Sequence, residues 1–140
     1  MKNLSKNNVS EIAHIAIAVN DLKDIKKWES FLRVEKKSHY SSDEQKVRVL
    51  VLETKEIKFE FMCPTSIDSP ISNFLKSNPN GGVHHICFKI ENINSSLDYL
   101  KNVGIRSITR NKNTTGISKK KVCFLNPNDL NNVLIELEEQ

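Results

Sequence analysis

Cysteine is scarce in this chain. Its three residues, Cys63, Cys87 and Cys123, are odd in number, far apart and without a Cys-x-x-Cys spacing. That excludes a disulfide scaffold or a zinc ribbon and leaves reduced thiols as the expectation. Long apolar runs are missing as well: none approaches the roughly 20 residues needed to cross a bilayer as a helix, so no membrane partner is expected. Residues 1–10 are polar, with Lys2 and Lys6 but no apolar core to follow, so a secretory signal is not expected and the cytoplasm is the default compartment. Charge of one sign does not dominate. The net charge is +4, and the one dense basic run, Lys119-Lys120-Lys121, comes without an aromatic platform or a recognisable binding motif. Nucleic acid is therefore not an expected partner. The run reads as a solvated loop or, second, as a contact for a phosphate-bearing small molecule.

The rest of the composition is ordinary for a folded domain: 38% hydrophobic and 27% charged over 140 residues, enough to bury one real core. Within that length the sequence repeats itself. His14-Ile15-Ala16-Ile17-Ala18-Val19 is followed by Asn20-Asp21-Leu22 and an amphipathic stretch; His85-Ile86-Cys87-Phe88-Lys89-Ile90 is followed by Glu91-Asn92-Ile93 and another. Each half then runs through further strand-like segments and closes on a carboxylate inside an apolar strand, Phe59-Glu60-Phe61 in one and Ile135-Glu136-Leu137 in the other. Internal repetition of this kind marks a duplicated supersecondary unit.

Strand parity sharpens the pattern, because successive side chains point to opposite faces. His14, Ala16 and Ala18 share one face, while Ile15, Ile17 and Val19 share the other and can pack under helices. The same split puts His85, Cys87 and Lys89 opposite Ile86, Phe88 and Ile90. Glu60 opposes Phe59 and Phe61, and Glu136 opposes Ile135 and Leu137. Four polar groups thus point away from the apolar layer, one from each of four strands.

The remaining elements follow from spacing and caps. Asp21 is placed to cap a helix from Leu22 to about Leu32, whose recurring Leu22, Ile25 and Trp28 make Trp28 a core residue. Val47–Leu52 and Ile57–Met62 alternate as a hairpin. Ser69-Pro70 opens a short helix to Ser77. A further helix runs from about Ser95 to Val103 and stops at Gly104. Arg110 to Lys120 reads as a mobile loop, Val122–Leu125 as a strand, and Val133–Leu137 as the last one. His39, in a polar stretch, reads as surface, and His84, of opposite parity to His85, as packed or as holding a hydrogen bond behind a ligand.

Two imidazoles and two carboxylates suit a borderline divalent cation such as Co²⁺, Mn²⁺, Ni²⁺, Fe²⁺ or Zn²⁺, whereas calcium wants more oxygens. Four protein ligands on an octahedral ion leave two open positions, where a substrate with two oxygens could chelate. The ion then acts as a Lewis acid on a carbonyl and favours loss of a proton next to it. Taken singly, each of these residues is more simply structural: a His in a strand is usually just hydrogen-bonded, and a Glu there usually faces solvent. The repeat shifts the balance, since accident would have to place the same pair twice.

On these residues the chain resembles the vicinal oxygen chelate superfamily and, within it, is similar to the methylmalonyl-CoA epimerases. The matching stretches are His14 to Leu22, Asp68-Ser69-Pro70-Ile71 with Phe74-Leu75, Gly81-Gly82-Val83-His84-His85-Ile86-Cys87, and Val133 to Glu138. The resemblance implies an α+β fold of two paired βαβββ modules forming a cupped mixed sheet around a metal site. Residues 1–10 would then be a polar extension and residues 11–140 one domain, with modules over about 11–66 and 82–140 joined by a helix over about 69–78. It implies His14, Glu60, His85 and Glu136 as metal ligands, Co²⁺ as the leading ion with Mn²⁺, Ni²⁺ and Zn²⁺ as alternatives, an acyl-CoA substrate, and a homodimer. It further implies epimerisation of (R)- and (S)-methylmalonyl-CoA through a metal-stabilised enolate, which needs a base on each face of the reacting carbon. Glu44 matches the glutamate of the family's Pro-Glu-x-Gly-Val segment and is the candidate for one base, with Glu136 a candidate for the other; read blandly, Glu44 is a surface carboxylate in a turn. Asp43 and Lys46 stand where the family has proline and glycine, and Asn126 where it often has histidine. A glyoxalase I-like isomerase acting on a glutathione hemithioacetal (a lactoylglutathione lyase) is the rival enzyme. A metal-free binding protein of the bleomycin-resistance type is the rival of another class, against which speak carboxylates that would be costly in a closed pocket without a cation.

Overall fold

The computed structural model describes residues 9–109 and 119–140. The polar extension expected up to Ser10, apart from Val9 and Ser10, and the loop expected from Arg110, apart from Lys119 and Lys120, lie outside the described residues. Two compact units emerge. One is His14–His84; the other combines the segment ending at Ala13 with His85–Gln140.

The first unit is built from β1 (Ile12–Ala18, which enters it at His14), α1 (Lys26–Phe31), β2 (Lys36–Ser42), β3 (Val47–Glu53), β4 (Lys58–Pro64) and α2 (Pro70–Ser77). Its strands stand in the order β2-β3-β4-β1, with β1 parallel to β4 and the other neighbours antiparallel. This is a βαβββ connection. The expected first helix divides into a 3-10 turn at Leu22–Ile25 and α1, and Asp21 accepts a hydrogen bond from the Lys23 N–H at 2.9 Å. Parity does what the sequence requires: Ile17, Val19, Leu50, Leu52 and Phe61 are buried with Ile25, and Ile15, Leu22, Trp28, Phe59 and Cys63 pack around them. The Trp28 ring lies 5.2 Å from that of Phe61 and 5.6 Å from that of Phe59. Each large side chain so buried contributes about 1.5–3 kcal/mol, so cutting back Phe61 would cost more than any surface change.

β2 was not legible as a strand. It lies at the end of its sheet and carries Lys36, Lys37, Ser38, His39, Ser41 and Ser42, a composition that an edge tolerates and that hides the strand from a hydrophobic pattern. His39 is exposed there, as expected.

The second unit contains β5 (Gly82–Ile90, from His85 on), α3 (Ile93–Asn102), β6 (Val122–Leu125) and β7 (Ile135–Glu139). The order is β5-β7-β6, with β5 parallel to β7 and β6 antiparallel to it. An isolated bridge pairs Ser107 with Leu125 and stands where the first unit has its edge strand. The plan is again βαβββ, α+β in class, with that strand reduced to a bridge among the described residues. Asn92 caps α3 by accepting from the Ser95 N–H at 2.9 Å, so the helix starts earlier than the expected Ser95. Gly104, at φ 89°, ends it. Ile90, Ile93, Leu97, Cys123, Leu125 and Leu137 form the core.

The last strand begins two residues later than expected. Asn131 and Asn132 take left-handed φ values of 57° and 65°, and the N–H groups of Asn132 and Val133 bond to Pro127 O and Leu130 O. Those bonds hold the chain in a turn through Asn132, and the strand begins at Ile135. Among the described residues no helix is long and apolar enough to cross a membrane.

Candidate metal-ligating pairs

In the first unit, β1 and β4 run parallel with Ala16 opposite Glu60. His14, two residues before Ala16, shares its face and stands diagonal to Glu60, within reach of a long side chain. The contact is made: His14 Nε2 lies 2.7 Å from Glu60 Oε2, and both side chains are 9% exposed. In the second unit, β5 and β7 run parallel with Cys87 opposite Glu136. His85, two residues before Cys87, meets Glu136 in the same way, Nε2 to Oε1 at 3.2 Å, with exposures of 6% and 9%. One register rule has therefore been executed twice.

The surroundings of the two pairs differ. Glu60 Oε1 accepts a hydrogen bond from the Tyr40 hydroxyl, which reaches across from β2. Burial pushes the Glu60 carboxyl up, but the hydrogen bond and charge of His14, the Tyr40 phenol and the charge of Lys58 outweigh it and hold the group below 4.5. Glu60 is therefore a carboxylate at neutral pH despite its burial. In the second unit, Phe124 is registered opposite Glu136 on β6, and its ring meets the His85 ring edge-on with centroids 5.5 Å apart. Cys87 is buried beside this pair, on the face the parity assigned to it. Cys123 faces the core instead, and burial, aided by the charge of Glu136, pushes its thiol up to about 12.

Each pair offers one imidazole nitrogen and one carboxylate oxygen, nearly free of solvent, and that donor set fits a borderline divalent cation. Two ligands about 2.1 Å from an ion at a right angle stand about 3 Å apart, and the separations of 2.7 and 3.2 Å straddle that value. Ala16 and Ala18, which follow His14 on the ligand side of β1, are both fully buried.

Glu44 lies in the exposed turn between β2 and β3, which the pair Ser42 and Val47 closes. The turn is tied to the segment before α2: Lys46 forms an ion pair with Asp68, the Thr65 N–H bonds to Lys46 O at 2.8 Å, and Ser69 Oγ bonds to Gln45 O at 3.3 Å. Lys46 itself has a left-handed φ of 54°. The backbone there keeps the shape that glycine adopts freely although the residue is lysine, at a cost of about 1 kcal/mol. His84 is half-buried and packs edge-on against Phe74 of α2, ring centroids 5.1 Å apart.

Two residues of these faces escaped the sequence reading. Tyr40 was hidden in the polar edge strand. Glu138 is buried, shares the face of Glu136 and lies 3.7 Å from Lys120 Nζ; its period-two spacing from Glu136 was the available signal.

The profile of the Glyoxalase/Bleomycin resistance protein/Dioxygenase superfamily matches residues 13–124. The chain is 35% identical over 132 residues to the ethylmalonyl-CoA/methylmalonyl-CoA epimerase of Cereibacter sphaeroides, covering 94% of this chain and 98% of that protein. It is 37% identical over 133 residues to the mitochondrial methylmalonyl-CoA epimerase of Homo sapiens, covering 94% and 75%. Among solved structures, a variant of the Streptomyces coelicolor methylmalonyl-CoA epimerase in complex with 2-nitronate-propionyl-CoA superposes with a TM-score of 0.81 at 26% identity, covering 95% of this chain and 99% of that one.

Proposed function

The chain belongs to the glyoxalase/bleomycin resistance protein/dioxygenase superfamily, and from that premise we propose that it is an isomerase that interconverts (R)- and (S)-methylmalonyl-CoA. The observation that carries this reading is the doubled histidine and glutamate pair, in a chain that matches epimerases acting on this acyl-CoA over nearly its whole length. His14, Glu60, His85 and Glu136 are the residues that would hold a divalent cation, with Co²⁺ first and Mn²⁺, Ni²⁺ and Zn²⁺ as alternatives. When bound, the ion supplies Lewis-acid stabilisation of the negative charge that develops on the thioester oxygen as C2 gives up its proton.

The chain's own groups move the proton. Epimerisation needs one group to take it from one face of C2 and another to return one to the opposite face. Glu44 serves one face and Glu136, also a ligand, the other. The turn that carries Glu44 is pinned to the Ser66–Ser69 segment, so the carboxylate has a fixed base from which to act. The working form is a homodimer, a reading that rests on the family resemblance.

The test is solvent exchange. Metal-loaded protein in D₂O should exchange the C2 proton of methylmalonyl-CoA, lose that activity to a chelator and regain it with Co²⁺. Glu44→Gln should lower exchange by roughly 10²-fold or more without changing metal content. No exchange in the loaded protein, together with turnover of a hemithioacetal, would transfer the assignment to a glyoxalase I-like isomerase. Unimpaired exchange in Glu44→Gln would remove that residue from the mechanism.

A further inference from the structure

We propose that Tyr40 is a positioning residue that restricts Glu60 to a single oxygen toward the bound cation. A carboxylate can meet a metal ion through one oxygen or both, and the second mode consumes a coordination position. With four protein ligands on an octahedral ion, a second oxygen from Glu60 would leave one open position instead of two, and a substrate offering two oxygens could no longer chelate.

The geometry of the first unit separates the two oxygens of Glu60. Oε2 lies 2.7 Å from His14 Nε2, the spacing of neighbouring ligands on one ion, while Oε1 is taken by the Tyr40 hydroxyl. A phenol donating to Oε1 holds that oxygen on the side of Tyr40, and turning it toward the ion would strain that bond. The framework keeps it in place: Tyr40 is opposite Val49 on β3, Glu60 is opposite Val51, and all four residues share a face of the sheet. Tyr40 is half-buried, so water competes only partly for its hydroxyl.

The inference rests on Glu60 being a ligand, and the test separates the two ideas. The infrared spectrum of the Co²⁺-loaded wild type, with the Glu60 bands assigned by their loss in Glu60→Gln, should show the wide splitting of carboxylate stretches that marks one-oxygen binding. Tyr40→Phe, which removes one oxygen and keeps the ring, should narrow that splitting and weaken oxalate, a two-oxygen chelator, on the Co²⁺ protein by tenfold or more. A merely structural tyrosine would lower the melting temperature and leave both readouts unchanged. A narrow splitting in the wild type, or an oxalate affinity within twofold in Tyr40→Phe, overturns the proposal while the four-ligand reading stands. Loss of Co²⁺ binding in the wild type itself would sink both.

Discussion

Removing His14 from the metal-free protein should destabilise it by an amount that depends strongly on pH, because the change strands a buried carboxylate. Glu60 is 7% exposed and held below 4.5 chiefly by His14, acting against its own burial. Without the imidazole, burial dominates and Glu60 folds most cheaply in its protonated form. Protonating a carboxyl of ordinary value 4.5 at pH 7.5 costs about 4 kcal/mol, at 1.36 kcal/mol per pH unit. That agrees with the roughly 3–5 kcal/mol expected for breaking a buried ion pair from one side. At pH 5 the same step costs under about 1 kcal/mol. The signs are opposite in the two proteins. In the wild type the folded pKa is depressed, so the contribution is present above the unfolded value and disappears as pH falls through the folded one. In His14→Leu the folded pKa is raised, so the deficit is small at low pH and grows as pH rises. Glu60→Met should be milder, about 1–2 kcal/mol at pH 7.5, because it leaves no buried acid behind and only hydrogen bonds are lost. The assay is thermal unfolding of chelator-treated protein at pH 5 and 7.5, where each kcal/mol moves the midpoint by roughly 3–5 °C. A deficit in His14→Leu that does not change with pH, or that is no larger than that of Glu60→Met, would refute the reasoning.

Gly81→Ala should cost about 2–4 kcal/mol by urea midpoint at unchanged m-value, because Gly81 has φ +84° and an added Cβ would stand 2.5 Å from the carbonyl oxygen of Ala18. The loop cannot easily yield, since Asn20 Nδ2 bonds to Pro79 O at 2.8 Å, and a loss under about 1 kcal/mol would contradict this account. In native protein at pH 8, iodoacetamide should label Cys63, which is half-buried, and spare Cys87 and Cys123, which are fully buried, the latter with its thiol pushed up to about 12. Labelling of Cys123 faster than global unfolding, read by peptide mass, would show that its burial is not what the structure describes.

Much of each module was legible because its information is local. Alternation in His14–Val19 and His85–Ile90 assigned large apolar residues to the helix side, and Ile15, Ile17, Val19, Phe88 and Ile90 are found in or against the cores. Ser69-Pro70 placed α2 within its observed bounds. Errors came where local signal is weak or misleading. The edge strand β2 has no apolar face to advertise it, and so Tyr40 was passed over. The apolar Val133 and Leu134 read as strand, yet the turn at the two left-handed asparagines before them delays the strand to Ile135. At Lys46 the sequence shows a departure from the family's glycine, while the backbone shows that the left-handed turn survives the exchange, anchored by the ion pair to Asp68.

By itself the sequence determined which face of each strand every candidate ligand occupies, since that follows from a period of two along one strand. It did not determine which residue stands opposite which. Register is a property of two distant segments, and folding brought Ala16 level with Glu60 and Cys87 level with Glu136. A slip of one residue in either pairing would have put the histidine and the carboxylate on opposite faces, so the 2.7 and 3.2 Å contacts exist only because tertiary packing chose those alignments. The Tyr40 hydroxyl at Glu60 is likewise a consequence of strand order, because a side chain two strands away can be aimed only by the sheet that carries it.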